Sequence, residues 1–297
     1  MASMPLGRAA CALVAGLVVG LSGCSVSTTR PVESGGGAAA TIRLPDKVRS
    51  KGALDIAAFA NYPPYTTLEN GRIGGIEPDL VRAVAAKLGV EARFHDLAFE
   101  AMIPSVVNGR NDLAIGMFAD TPERRGQVGF VDIIRSEMRA LVLKGNPRKV
   151  DPAKPCGLTS GESAGSYQST IIKSIAKRCA ADGEPELKQH EFTDPGASFL
   201  AVVNGRTDLT LQDPAVAKYT AGKNPALEML HTPIKGDASL LSGWIFAKGN
   251  QELRTAFVQA IEQLMKEGTW QKKMADAGLG EVLLQSPTID TQPVKGS

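Results

Sequence analysis

The chain has 297 residues, and its 33 lysines and arginines against 31 aspartates and glutamates leave a formal charge of only +2. That balance, with aromatics at 5%, lacks the basic stripe interleaved with aromatic side chains that a nucleic-acid surface needs, so no nucleic-acid partner is expected. The length supplies two lobes of ordinary domain size, and neither a phosphate-binding glycine loop nor a metal-ligand spacing around His95, His190 and His231 occurs, so no metal or other cofactor is expected.

The amino terminus carries one positive charge, Arg8, and then an uncharged apolar run over residues 9–21. The run is too short for an ordinary membrane span and has the form of a secretory leader. It ends in Leu21-Ser22-Gly23-Cys24, which resembles the bacterial lipoprotein box. That resemblance implies a signal peptide over 1–23 and a lipid on Cys24. The protein would then be anchored to the cell membrane on its outer side, at the cell surface or in the periplasm; a leader cut at another small residue is the alternative. Residues 24–41, rich in Ser, Thr, Gly and Ala, read as a flexible tether. Cys156 and Cys179 are left as a pair in an exported chain, where oxidising conditions favour a disulfide over free thiols or a metal site.

Residues 53–59 read as an apolar strand. Leu80, Val81, Val84, Ala85 and Leu88 then fall on one helical stripe over 78–88, opened by Pro78 in its first turn. A strand at 90–94, a helix at 99–108 with Pro104 marking a start or kink, and a strand at 113–115 complete a βαβαβ order. Residues 130–143 are extended and lead outward. A second unit repeats the pattern: a loop at 159–165, a helix at 168–181, a strand at 187–192, a helix at 195–203 and a strand at 209–211. Asp194-Pro195 and Asp213-Pro214 are helix starts, the acid capping and the proline taking the first turn. Residues 240–247 return, and Leu253, Phe257, Ile261 and Leu264 form the stripe of an amphipathic helix over 251–266.

VVNGRNDL at 106–113 and VVNGRTDL at 202–209 differ only at Asn111 against Thr207, which marks the units as lobes of one plan. Each copy places a glycine, Gly109 or Gly205, at a helix stop. The expected fold is α/β with two lobes, each a mainly parallel sheet flanked by helices, joined by a two-stranded hinge. Lobe 1 takes residues 42–135 and 241–285, lobe 2 takes 136–240, and 286–297 form a tail. After each repeat's strand the chain turns polar, as Asp120-Thr121-Pro122-Glu123-Arg124 and as Gln212-Asp213-Pro214. Ligands bind at the carboxyl ends of such strands, so Arg124 and Asp213 face one cleft, a cation opposite an anion, which suits a small zwitterion.

Further motifs run in order along residues 42–284: Asn61-Tyr62-Pro63-Pro64-Tyr65, Asn70-Gly71-Arg72, Gly75-Ile76-Glu77-Pro78-Asp79-Leu80, Met102-Ile103-Pro104, Thr121-Pro122-Glu123-Arg124 with Phe130, Gly165-Ser166, Gly205-Arg206-Thr207-Asp208 and Gln212-Asp213. In this set the chain resembles the extracytoplasmic solute-binding proteins of ABC importers, of the polar-amino-acid type that includes histidine- and glutamine-binding proteins. The resemblance implies a periplasmic-binding-protein-like fold and a monomer without enzymatic activity. It also implies capture of an amino acid or related zwitterion by hinge closure and delivery to an ABC permease.

The resemblance makes Arg124 the fork for the ligand carboxylate and Asp213 the acceptor for its α-amino group. A guanidinium matches a carboxylate bidentately, and a carboxylate compensates a desolvated ammonium. A solvated arginine and a plain cap before Pro214 are the simpler alternatives. Tyr62 and Phe99 fall at the aromatic walls, though Phe99 also fits core packing. Gly165 and Ser166 match a loop offering a backbone N–H and a hydroxyl at a helix start, unless they form an ordinary turn. Thr121, Ala119 and Phe59 complete the expected ligand-binding set. Cation-binding members carry an aspartate where this chain has Phe59, and a hydroxyl is common where it has Ala119. The ligand is therefore expected to be neutral or acidic rather than basic, unless Glu77, Glu100 or Asp194 substitutes.

Gly161-Glu162-Ser163-Ala164-Gly165 satisfies the hydrolase nucleophile elbow, which requires an apolar strand running into the serine. Residues 154–160, with Pro155 and little to bury, do not promise one. An exported enzyme on the same scaffold, such as a cyclohexadienyl dehydratase, is the rival reading. It needs a general acid in the cleft, and no residue in the sequence declares itself as one.

Overall fold

The computed structural model describes residues 42–234 and 240–290. The expected leader, tether and Cys24 lie outside the described residues, as do 291–297. In chain order, Asp46–Lys51 (α1) precedes Ala53–Ala58 (β1), and Asn61–Tyr62 (β2), Thr66–Glu69 (β3) and Arg72–Gly74 (β4) form a small antiparallel sheet. Then come Ile76–Leu88 (α2), Glu91–Asp96 (β5), Phe99–Val107 (α3), Leu113–Ala119 (β6), Pro122–Arg125 (α4) and Val128–Ser136 (β7). The second lobe comprises Arg139–Leu143 (β8), Thr159–Ser163 (β9), Tyr167–Ala181 (α5), Lys188–Phe192 (β10), Pro195–Val203 (α6), Leu209–Gln212 (β11), Pro214–Lys223 (α7) and Leu227–Pro233 (β12). Leu240–Ala247 (β13), Gln251–Lys266 (α8), Thr269–Asp276 (α9) and Leu283–Ile289 (β14) return to the first.

The first lobe is built on a six-stranded sheet of order β14-β7-β13-β6-β1-β5, the second on a five-stranded sheet of order β10-β9-β11-β8-β12. Only β5-β1-β6 and β10-β9-β11 are parallel runs; every other pairing is antiparallel. The sheets are thus mixed rather than mainly parallel. The cause is the crossing between lobes: β8 and β13 enter their sheets at the cleft, where β11 and β6 end. Arg139 pairs with Gln212, and Ser242 with Ala119. Strands that begin where their neighbours finish must run antiparallel to them.

The core of the first lobe gathers Leu54, Ile56, Leu80, Phe130, Trp244 and Phe246 under the α8 stripe, where Leu253, Phe257, Ile261 and Leu264 are all buried. Phe257 meets Trp244 and Phe246 edge-on at 6.0 and 5.0 Å. Alternation along β8 divides the second lobe's core, Ala140 and Val142 facing the α5 side chains Ile171, Ile172 and Ile175, and Leu141 facing Val202 and Ala217. Cys156 and Cys179 are joined, with Cα atoms 5.7 Å apart, tying the segment before β9 to the last turn of α5.

Three local expectations change. Pro104 does not start α3, which is assigned as helix throughout Phe99–Val107; the bond it forfeits is to the carbonyl of exposed Glu100. The segment read as a loop at 159–165 is largely β9, paired to β10 on one side and touching β11 on the other. Residues 286–289, read as tail, belong to β14, where Thr288 pairs with Asp132 and Ile289 with Val131. Asp290 fastens that end, accepting the Phe130 N–H at 2.7 Å and pairing with Arg254.

The repeated motif has a structural job. Asp112 gives its N–H to the Asp55 carbonyl at 2.7 Å and takes the Asp55 N–H on its carboxylate at 2.9 Å. Asp208 does the same with Thr159, at 2.7 and 2.8 Å. Gly109 and Gly205, at φ 74° and 68°, supply the left-handed turn that brings each aspartate back from its helix. Each copy is a clip between a helix end and the start of its lobe's first parallel strand.

Candidate functional site

The strand-end rule locates the cleft. β6 ends at Ala119, after which the Thr121 hydroxyl accepts the Arg124 N–H at 3.2 Å and Pro122 opens α4. This cap aims the Arg124 side chain back over the strand end. Its Nη1 donates to the Ala119 carbonyl at 3.1 Å, and its Nη2 donates across the cleft to the Gly165 carbonyl at 3.1 Å. The guanidinium carbon lies 5.8 Å from the ring centres of both Phe99 and Phe118. Burial pulls its pKa down to about 10, so it stays cationic at neutral pH.

In the second lobe β11 ends at Gln212, and Asp213 caps α7 by accepting the Ala215 N–H at 2.9 Å. The same carboxylate accepts the Tyr65 hydroxyl at 2.8 Å and the Ser136 hydroxyl at 3.3 Å. Burial pushes its pKa up, against these donors. Asp213 is therefore the plain cap and also a carboxyl lining the cleft; the cap does not exclude a role there. Ser166 caps α5 in parallel fashion, accepting the Ser169 N–H at 3.1 Å, while its own N–H goes to the Ser163 carbonyl at 3.2 Å. The Ser166 N–H is thus already used, and its hydroxyl proton remains to donate.

One cleft collects these groups. Phe59, Tyr62, Phe99, Ala119, Arg124, Ser166 and Asp213 line it together. Thr121 and Gly165 do not; they hold Arg124 from behind and from across the cleft. The aromatic wall is continuous, Phe59 meeting Phe99 edge-on at 5.7 Å and Phe99 stacking on Phe118 at 4.9 Å, so Phe99 is at once packed and exposed to the cleft.

Among the lining residues that the sequence reading did not assign to the ligand are Glu162 and Gln212. Glu162 is fully buried, and its Oε1 accepts the Ser160 hydroxyl at 2.5 Å and the Leu211 N–H at 2.9 Å. Burial raises its carboxyl to about 8. Reading 159–165 as a loop hid it; the i, i+2 spacing of Ser160 and Glu162 was the available signal. The substitutes proposed from sequence do not serve: Glu77 and Glu100 are not among the lining residues, and neither is Asp194, whose carboxylate caps α6 at the Ala197 N–H. Glu77 instead lies beneath the site. It accepts the N–H groups of Gly116 and Met117 and the Trp244 indole N–H at 3.0 to 3.1 Å, and burial raises it to about 7.

A strand does run into Ser163, but it carries no large apolar side chain, and the elbow is not assembled. α5 begins only at Tyr167; His190 sits on β10 opposite Gly161, and His231 sits on β12, at the far edge of the sheet. Among the described residues no group of three or more metal-ligating side chains converges, and no helix is long and apolar enough to cross a membrane.

The model of the bacterial extracellular solute-binding proteins, family 3, matches residues 54–276. The chain belongs to this family. Among similar proteins, the arginine-binding protein ArgT of Corynebacterium glutamicum is 27% identical over 254 residues, covering 84% of this chain and 82% of that one. The structure of an ancestral arginine-binding protein bound to arginine superposes with a TM-score of 0.68 at 29% identity, over 76% of this chain and 97% of that one. An ancestral amino acid-binding protein, AncCDT-1, described as a precursor of cyclohexadienyl dehydratase, superposes with a TM-score of 0.62 at 25% identity over 78% and 97%. This family-3 chain thus shares its two-sheet plan with binding proteins, and its motifs meet at the cleft between the sheets.

Proposed function

We propose that this protein is the substrate-binding lipoprotein of an ABC importer, capturing an amino acid or related zwitterion between its lobes and handing it to the permease. The observation that carries the reading is the buried charge pair at one cleft, Arg124 from the first lobe and Asp213 from the second. A carboxylate and an α-ammonium would each find an opposite charge in a desolvated site, where such pairing is strongest. Arg124 already reaches Gly165 and Tyr65 already reaches Asp213, so each half-site touches the other lobe and a ligand held between them favours closure about the crossings. The protein acts as a monomer. Cys24 carries the lipid that anchors it outside the membrane, and replacing Cys24 by serine is expected to move the protein from the membrane fraction to the soluble one. Unchanged membrane retention would point to another anchor.

Thermal-shift screening of the mature protein against the free amino acids tests the main reading. A ligand at 100 times its Kd should add about 2.7 kcal/mol to stability. No shift with any amino acid sinks the proposal.

One observation favours a second reading. The dehydratase alternative needs a general acid in the cleft, and Glu162 is a lining carboxyl held protonated at neutral pH by burial. Incubation with prephenate or arogenate decides it: product formation lost in Glu162→Gln would establish the enzyme, and no product dismisses it.

A further inference from the structure

Gln212 is 3% exposed, lines the cleft, and its side-chain Oε1 has no hydrogen-bond partner among the described residues. Its orientation is set by its neighbours. The amide Nε2 donates to Thr210 Oγ1 at 3.2 Å, and the Thr210 hydroxyl proton is directed at Glu162 Oε2 or at Ser198, leaving its oxygen to accept. Oε1 of Gln212 is thereby turned away from Thr210. On the adjacent strand, among the described residues, Glu162 Oε1 has two donors, but Oε2 has only the Thr210 contact at 3.4 Å. Two buried acceptors, one amide and one carboxyl, thus stand undersupplied on neighbouring strands at the wall of the cleft. A buried acceptor without a donor costs stability unless something that binds there supplies one.

We infer that Glu162 and Gln212 form the side-chain subsite of this protein, receiving a ligand side chain that ends in a nitrogen group with N–H donors and preferring a cation to its neutral counterpart. The inference rests on the proposed binding function and deepens it. A bound zwitterion's own charges are met by Arg124 and Asp213, which leaves Glu162 as the lining carboxyl for a further positive charge; a cation beside it favours the ionised form and so releases the proton that burial retains in the empty cleft. Phe59 and Ala119 then do not argue against a basic ligand. The distal partner lies on the opposite lobe, at β9 and β11. Phe59 and Phe99 contribute the apolar wall along which an aliphatic stem lies.

Arginine and citrulline have nearly the same shape and differ in charge, and norleucine lacks the nitrogen end. Titration calorimetry of the full protein with L-arginine, L-lysine, L-citrulline, L-glutamine, L-norleucine and L-glutamate reads the subsite. Arginine or lysine is expected to bind tightest, and Glu162→Gln to weaken that ligand by about 30-fold or more while changing norleucine by less than about threefold. Gln212→Met, which keeps the volume and removes the acceptor, should weaken every nitrogen-ended ligand relative to norleucine. Tightest binding of norleucine or glutamate overturns the inference and leaves amino-acid capture standing. So does an arginine-to-citrulline ratio that Glu162→Gln leaves unchanged in a protein that still melts cooperatively. Failure of all six to bind overturns the capture reading itself.

Discussion

At the scale of single residues, the place of Arg124 and Asp213 at the cleft was legible because each follows a repeat's strand at a capped, proline-opened turn. Removing one member of a buried, hydrogen-bonded charge pair costs roughly 2 to 5 kcal/mol, and each 1.4 kcal/mol is about tenfold in affinity. Arg124→Ala and Asp213→Ala are each expected to weaken the best amino-acid ligand by about 30-fold to more than 1,000-fold. Calorimetry with derivatives separates them: a ligand without its α-carboxylate should be indifferent to Arg124→Ala, and one without its α-amine to Asp213→Ala. Near-normal affinity in either folded variant removes the assigned role. Glu162 was not legible, because Thr159-Ser160-Gly161-Glu162-Ser163 contains no large apolar residue, and only its neighbours on both sides make it a buried strand. Glu77 stood in a quoted motif, but its task could not be read there. It holds N–H groups of a strand end bent by Gly116 and Met117, with φ of 155° and 45°.

Among elements, long periodic segments were read to within a few residues, and α6 and α8 agree with their expected limits at both ends. Such helices declare themselves locally, through caps and a stripe. The small β2-β3-β4 sheet, β12 and β14 did not, since each is short or polar and exists because a distant strand pairs with it. The disulfide was legible from compartment and cysteine arithmetic, and its value follows from the loop it closes. With its ends 23 positions apart in sequence, the chain-entropy model assigns it about 3 kcal/mol. Cys156→Ala combined with Cys179→Ala should lower the denaturant-extrapolated stability by about that amount while sparing the cleft, which neither cysteine lines. A loss of ligand affinity without loss of stability would contradict this division.

For the whole molecule, buried carboxyls set an unusual response to pH. Glu77 and Glu162 titrate from 4.5 in the open chain to about 7 and about 8 when folded. Asp120 and Asp132, buried side by side near Arg125, are raised in the same direction by burial and, for Asp132, by its neighbour's charge. A raised carboxyl contributes stability that is fully present below its unfolded pKa and is lost as pH rises through its folded one. Asp55 and Glu191 are shifted downward, but they are the more solvent-exposed groups, where water and salt screen the effect. The melting temperature is therefore expected to fall between about pH 5 and pH 8, with Glu162→Gln flattening the upper part of the curve. A profile that rises across this window contradicts the burial of these groups in solution.

The strand order also carries a history. The second sheet draws all five of its strands from one unbroken stretch, β8 to β12, whereas the first sheet sets β13 between β6 and β7 and closes its edge with β14. A chain emerging from its amino terminus can complete the later lobe before it can complete the earlier one. Until residues 240–247 arrive, β6 and β7 have no strand to join them, and α8, which covers Trp244 and Phe246, follows later still. Distant pairings form slowly because a long loop must close before any contact rewards it. The lobe that is first in sequence is thus the one whose sheet waits for the rest of the chain, and the last described strand, laid against β7 where it departs for the hinge, closes its edge.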